Sequence, residues 1–182
     1  MFSRFLFVVL RPEMSCMDKK FLEKVTELFL ENGAKTLTMD DIAREFGMSK
    51  KTLYQRYKNK EALLEDVMAY KLDEVISTLT DRSTRVVNPL ELLLYRDEQI
   101  ERLASSNRSI LIRQLTKYYP EIFSNHMALF SEKFSAVLVK NILKGRDQGY
   151  YREDFNEKIY AKFLFHLIMS YDNIHFSDDF GL

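Results

Sequence analysis

Apolar residues recur every three or four positions along most of the chain, the spacing that places them on one face of an α-helix. Period-two runs of Val, Ile and Thr bounded by turn residues, which would indicate strands, are missing from the sequence. Glycine is scarce, with none between Gly47 and Gly145, so long helices are expected in place of tight turns. The pattern therefore predicts an all-α fold.

The first third of the chain contains three such periods. A first helix is predicted over about residues 18–32, and Gly33 ends it as a left-handed cap. Thr38 caps a second helix with Asp41 three residues on, a capping box in which Asp stands in place of Glu or Gln. Gly47 ends this second helix after about two turns.

A third helix follows at once. Ser49 is its N-cap, and Leu53 and Tyr57, four residues apart, are predicted to face the core. Nearly all the outward side chains can form hydrogen bonds: Lys50, Lys51, Thr52, Tyr54, Gln55 and Arg56. A short helix, a turn containing glycine and another short helix form the order of a helix-turn-helix.

The rest of the chain predicts a helical bundle. Asn59 caps a long fourth helix that carries apolar residues as far as Leu79, and residues 80–88 are predicted to be irregular. Further helices are predicted from Asn88 and Pro89, after a break at 105–107, from Pro120 until Gly145 and Gly149, and from about Asn156. The chain is thus divided into a leader (1–16), a helix-turn-helix domain (17–62) and a helical domain (63–182).

The leader has two interpretations. Its apolar run of six residues is too short for a signal peptide, and no segment of the sequence supplies the roughly 20 apolar residues of a transmembrane helix. Residues 1–16 are expected to be a disordered leader or a mis-assigned start, with a packed functional arm as the alternative. Cys16 is the only cysteine, so no internal disulfide can form, and a reducing cytoplasm is expected.

Charge is distributed unevenly although the net formal charge is zero. Residues 18–60 contain ten basic and seven acidic residues, whereas residues 61–182 contain fifteen and nineteen. Residues 47–60 contain five basic residues and no acidic one. This asymmetry is typical of a protein that touches phosphate with one end only.

The stretch from Thr38 to Leu63, TMDDIAREFGMSKKTLYQRYKNKEAL, resembles the DNA-binding signature of the TetR family of one-component bacterial regulators. The resemblance implies that the third helix enters the major groove, where Lys, Thr and Gln side chains can read base edges. It also implies that Thr38, Tyr54 and Lys60 hold backbone phosphate. The expected DNA-binding residues are Thr38, Ser49, Lys50, Lys51, Thr52, Tyr54, Gln55, Arg56 and Lys60.

The resemblance further implies an effector pocket and a homodimer. Aromatic residues of the C-terminal helices would suit a small apolar or aromatic effector, and the candidates are Tyr118, Phe123, Phe130, Phe134 and Phe163. Family members usually dimerise through their last two helices, but only eleven residues follow Tyr171, ending in the largely polar and acidic NIHFSDDFGL. Either the final helix is lost, or the helix over 156–174 and the long helix before it form the interface alone.

Enzymatic signatures are missing from the sequence, which has no HExxH pair, nucleophile elbow or glycine-rich nucleotide loop. His126 and His166 lie among apolar residues and are expected to be core histidines, so neither metal nor cofactor is expected. The leading hypothesis is a ligand-responsive repressor that binds double-stranded, roughly palindromic operator DNA as a homodimer. The alternatives are a degenerate helical interaction module that no longer recognises an operator and, less favoured, an all-α enzyme.

Overall fold

The computed structural model describes residues 16–94 and 110–171, in which the chain forms helices and no strand. The helices are α1 (Cys16–Asn32), α2 (Met39–Glu45), α3 (Lys50–Arg56), α4 (Lys60–Arg85), α5 (Glu91–Leu94), α6 (Ile110–Tyr118), α7 (Pro120–Asp147) and α8 (Glu157–Tyr171). The predicted all-α fold is confirmed. Residues 1–15 of the predicted leader and the predicted break at 105–107 lie outside the described residues.

The first core forms where α1 packs against α4 and α6 and α2 packs beside α3. Phe29, Ile42 and Leu53 are fully buried in it, as their apolar spacing predicts. The same buried cluster includes Leu115 of α6 and Ile122 of α7. The buried cluster therefore extends from the first four helices into the C-terminal helices α6 and α7.

Most of the predicted helix N-termini are confirmed, but three predicted helix boundaries are wrong. α4 continues through the polar residues 80–85, where helical hydrogen bonds such as Val86 N–H to Arg82 O (3.0 Å) are made at the solvent surface. α5 begins at Glu91 and not at Pro89, because the Asn88 side chain accepts from the Leu90 N–H (2.9 Å) in a turn.

The third error concerns Gly145, which lies inside α7 and does not end it. It is buried, and the ring of Tyr151 occupies the space that a Cβ would need. Gly149, with φ +76°, follows the true end of the helix. Glycine at 145 thus reflects close packing, whereas Gly149 supplies the left-handed backbone.

The second layer is built around the long helix α7, which packs against both α4 and α8. Arg146 near its end donates to Glu157 (3.1 Å) at the start of α8 and so ties the two helices together. None of the described helices is long and apolar enough to cross a membrane. α4 begins directly after α2 and α3 and packs against α7, so it connects the two layers.

Candidate nucleic-acid interface

Thr38 and Asp41 hold the start of α2 in the predicted capping box. The Thr38 hydroxyl accepts from the Asp41 N–H (3.2 Å), and the Asp41 carboxylate accepts from the Thr38 N–H (3.1 Å) and hydroxyl (2.5 Å). The hydrogen bond from the Thr38 hydroxyl, and after it the one from the Thr38 backbone N–H, hold the pKa of Asp41 below its usual value. Thr38 is exposed, so the cap presents its hydroxyl at the surface.

α3 is fixed by its cap and by two buried side chains. The Ser49 hydroxyl accepts from the Thr52 N–H (3.0 Å), and Gly47, with φ +60°, makes the turn between α2 and α3. Leu53 is fully buried and Tyr57 is 5% exposed, as predicted. Because both anchors lie on one side of α3, the opposite side of the helix faces solvent.

Four of the predicted DNA-binding side chains are exposed on this outer side of α3, which we call the reading face: Lys51, Thr52, Tyr54 and Gln55. Tyr54 is 49% exposed, a large fraction for an aromatic residue that follows the fully buried Leu53. Lysine, threonine and glutamine can all hydrogen-bond to base edges in the major groove. The reading face is therefore polar, solvent-accessible and one helix wide.

Three predicted base contacts have partners within the protein. The Thr52 hydroxyl lies 2.8 Å from the Ser49 hydroxyl, within hydrogen-bond distance. Lys50 forms an ion pair with Asp40 of α2, and both side chains remain largely exposed. The Arg56 guanidinium lies 4.7 Å from the ring centroid of Phe21 and 5.5 Å from that of Tyr57. Arg56 is thus directed towards α1, a contact that no local pattern of α3 indicates.

Lys60 lies at the start of α4, where the Asn59 side chain accepts from the Ala62 N–H (2.9 Å) and caps the helix. Its ammonium donates to the backbone oxygen of Lys35 (3.5 Å), and burial lowers its pKa from the ordinary lysine value. A partly desolvated cation beside a helix N-terminus favours an anionic partner. The predicted position of Lys60 at this helix start is correct.

The structure does not bring the five predicted pocket residues together. Phe130 and Phe134 pack edge to face (5.9 Å), and both contact the buried ring of Phe165. Phe123 instead packs against the first core, and Tyr118 is 40% exposed.

Phe163 is 60% exposed, so it does not line an interior pocket with the other phenylalanines. The reason is its position on α8, two residues from the inward-facing Phe165 and therefore on the opposite side of the helix. The histidines also differ from each other. His126 is partly buried, and this burial lowers its pKa to about 4, whereas His166 is exposed, against expectation.

A family model described as "Bacterial regulatory proteins, tetR family" matches residues 21–67, which contain α2, α3 and the start of α4. The chain is also similar to the HTH-type transcriptional repressor KstR2 of Mycobacterium tuberculosis, with 24% identity over 164 residues. That match covers 80% of this chain and 74% of the relative.

The fold is shared with solved regulators. GusR of Salmonella enterica superposes with a TM-score of 0.67 at 18% identity, over 90% of this chain and 86% of that one. The transcriptional regulator FadR of Bacillus subtilis, solved with stearoyl-CoA, superposes with a TM-score of 0.62 at 18% identity, over 84% and 83% of the two chains. The helix-turn-helix geometry, the family model and these relatives agree: residues 21–67 form a DNA-binding region of the TetR family of bacterial regulatory proteins, and the whole chain is similar to regulators of that fold.

Proposed function

We propose that this DNA-binding transcriptional regulator is a repressor that occupies a roughly palindromic operator as a homodimer and is released by a small apolar or aromatic effector. The observation that carries the proposal is the reading face of α3, exposed between a capped N-terminus and Lys60. The relative KstR2 is a repressor, which favours repression over activation. No observation favours a degenerate interaction module, and the bacterial cytoplasm is the expected site of action.

The reading face fits the major groove. A recognition helix contacts bases with the side chains of its first turns, which here include Lys51, Thr52 and Gln55. Tyr54 lies on that helix, and Thr38 and Lys60 lie at the starts of α2 and α4. They supply two hydroxyls and an ammonium for backbone phosphate, with the Thr38 hydroxyl exchanging its hydrogen bond to Asp41 for one to phosphate. To reach a base, Lys50 must give up its ion pair with Asp40. Breaking that pair costs little free energy, because both side chains are largely solvated.

The homodimer is supported by an apolar face on α8. Residues 159, 163 and 167 follow one another at intervals of four, and their side chains are 69%, 60% and 52% exposed. Residues 161 and 165, on the opposite side of α8, are buried against the rest of the chain. An apolar helical stripe of this size facing water needs a partner, and a second copy supplies an equal stripe about a two-fold axis.

The effector is proposed to act through α4. This helix begins at Lys60 and packs against α7, which carries Phe130 and Phe134. A ligand that binds one arrangement of α7 and α4 better than another would change the position of Lys60 and of the reading face. The FadR structure holds stearoyl-CoA, so acyl-CoA compounds are suitable first probes beside aromatic acids.

The groove assignment is tested with two variants on a duplex that the purified protein selects from a random pool. Gln55→Ala is expected to change the preferred base at one position and to cost about 1–3 kcal/mol there. Lys60→Ala is expected to weaken binding to every sequence and to reduce the salt slope by about one unit. Arg85→Ala, at the far end of α4, is the control for loss of charge.

Unchanged selection and unchanged salt slope in both variants would contradict the groove assignment. The effector proposal has a separate measurement: acyl-CoA compounds of graded chain length and a set of aromatic acids are titrated into the protein–duplex complex. Release of the duplex by one class, with a dependence on chain length or ring substitution, is expected. Failure of both classes to change the affinity would contradict an apolar or aromatic effector.

A further inference from the structure

Two lysines from distant parts of the sequence meet at one tyrosine on the surface. The Lys35 ammonium, from the loop between α1 and α2, lies 4.5 Å from the ring centroid of Tyr118 and 3.3 Å from its hydroxyl. The Lys117 ammonium, from the end of α6, lies 5.2 Å from the same centroid. Hydrogen bonds from Lys35 and then Lys117 lower the pKa of Tyr118. We call these three residues the lysine cluster.

The lysine cluster concentrates positive charge. Residues 33–38 and 110–120 contain three basic residues and no acidic one. Among the described residues, neither Lys35 nor Lys117 has a carboxylate within ion-pair distance, whereas Lys71, Lys133 and Arg146 each do. Two ammonium groups that lie against the same tyrosine ring, without a carboxylate partner, favour an anion beside that ring.

Packing fixes the two halves of the cluster relative to each other. The Gln114 side-chain oxygen accepts from the Lys35 backbone N–H, so α6 holds the loop directly. Gly33 permits this approach: it has φ +80°, and a Cβ there would lie 2.5 Å from a methyl carbon of Ile110. The lysine cluster is therefore built by the fold and does not depend on the chance meeting of two flexible side chains.

The lysine cluster adjoins the proposed phosphate contacts. Lys35 is three residues before Thr38, and its backbone oxygen accepts from the Lys60 ammonium at 3.5 Å. Thr38 and Lys60 are both phosphate contacts in the proposed function, so the basic edge continues from the start of α4 to the end of α6. Lys117 and Tyr118 belong to a helix outside the helix-turn-helix.

We propose that Lys35, Lys117 and Tyr118 form an additional backbone-phosphate site, which binds the DNA strand just outside the segment read by α3. This inference rests on the proposed function. It extends the DNA interface to α6, so that a displacement of α6 changes DNA affinity directly as well as through α4. The contact is independent of base sequence because its donors are ammonium groups and a hydroxyl.

The test measures the salt dependence of binding for the full chain and for Lys117→Ala, on the selected duplex and on a scrambled duplex. Loss of one phosphate contact reduces the salt slope by about 0.9. The ratio of wild-type to variant affinity should therefore shrink about 3.5-fold between 50 and 200 mM salt. Lys117→Arg should retain the wild-type slope, and Arg85→Ala, remote from the cluster, should also retain it.

Duplexes shortened stepwise from both ends locate the contact. Wild-type affinity is expected to fall to that of Lys117→Ala when the flanking phosphates are removed, and the variant is expected to be insensitive to that step. The inference would be overturned if Lys117→Ala kept the wild-type salt slope, or if wild type and variant lost the same affinity when the duplex is shortened. Either result would leave the proposed function intact. Equal wild-type affinity for the selected and scrambled duplexes would instead overturn the proposed function, and the slopes would still decide the lysine cluster.

Discussion

Replacing Phe163 by Ala should dissociate the proposed homodimer without unfolding the subunit. The side chain is 60% exposed in the single chain, so its removal leaves the subunit core intact. Burying a whole Phe side chain stabilises by up to about 3 kcal/mol, so burying the exposed part is worth about 2 kcal/mol per subunit. A two-fold axis buries two copies, which gives about 4 kcal/mol and a roughly 10³-fold weaker dimer.

Sedimentation velocity over a range of concentrations measures this dissociation constant. Val87→Ala is the control, because Val87 is 79% exposed but lies in the segment after α4 and not on α8. The control should have the wild-type dissociation constant, and both variants should retain the wild-type helical content by circular dichroism. A Phe163→Ala dimer as tight as that of the wild type would refute the assignment of the α8 face to the subunit interface.

Three further predictions concern single residues. Burial lowers the pKa of His126 to about 4, whereas in the unfolded chain its pKa is 6.5. The unfolded chain therefore binds the proton first as pH falls. About 3 kcal/mol of stability that is present above pH 6.5 is lost as pH falls towards 4. His126→Gln should flatten this dependence in urea unfolding, and the exposed His166→Gln should not. Gly33→Ala, at φ +80° and against Ile110, should destabilise by more than about 2 kcal/mol, whereas Gly47→Ala, at φ +60° in open space, should cost about 1 kcal/mol in the same assay. Ser49→Ala should cost about 1 kcal/mol in thermal unfolding, and a loss below experimental error would show that the cap of α3 is dispensable.

The helix-turn-helix could be predicted from sequence because its determinants are local. Thr38, Ser49 and Asn59 each accept a backbone N–H three residues on, and Gly33 and Gly47 adopt the positive φ that ends a helix. Caps and glycines of this kind act within one turn of the chain. The exposed reading face then follows from the two buried anchors of α3.

The remaining features depend on contacts between distant segments. The partners of Lys50 and Arg56, and the meeting of Lys35 with Tyr118, join residues that no periodicity relates. The apolar spacing of α8 indicated a helix but could not distinguish the side that packs inward at Phe165 from the side that carries Phe163. Both sides are apolar, because one meets the subunit core and the other is proposed to meet a second copy.

The central claim, sequence-specific binding of DNA through the reading face, is tested most directly by fluorescence anisotropy of the purified full chain. A labelled duplex selected from a random pool and a scrambled duplex of equal length are titrated at two salt concentrations. The account predicts binding that is at least 10³-fold tighter to the selected duplex at physiological salt, as specific regulators show. Weak binding that is equal for both duplexes and disappears as salt is raised would contradict it.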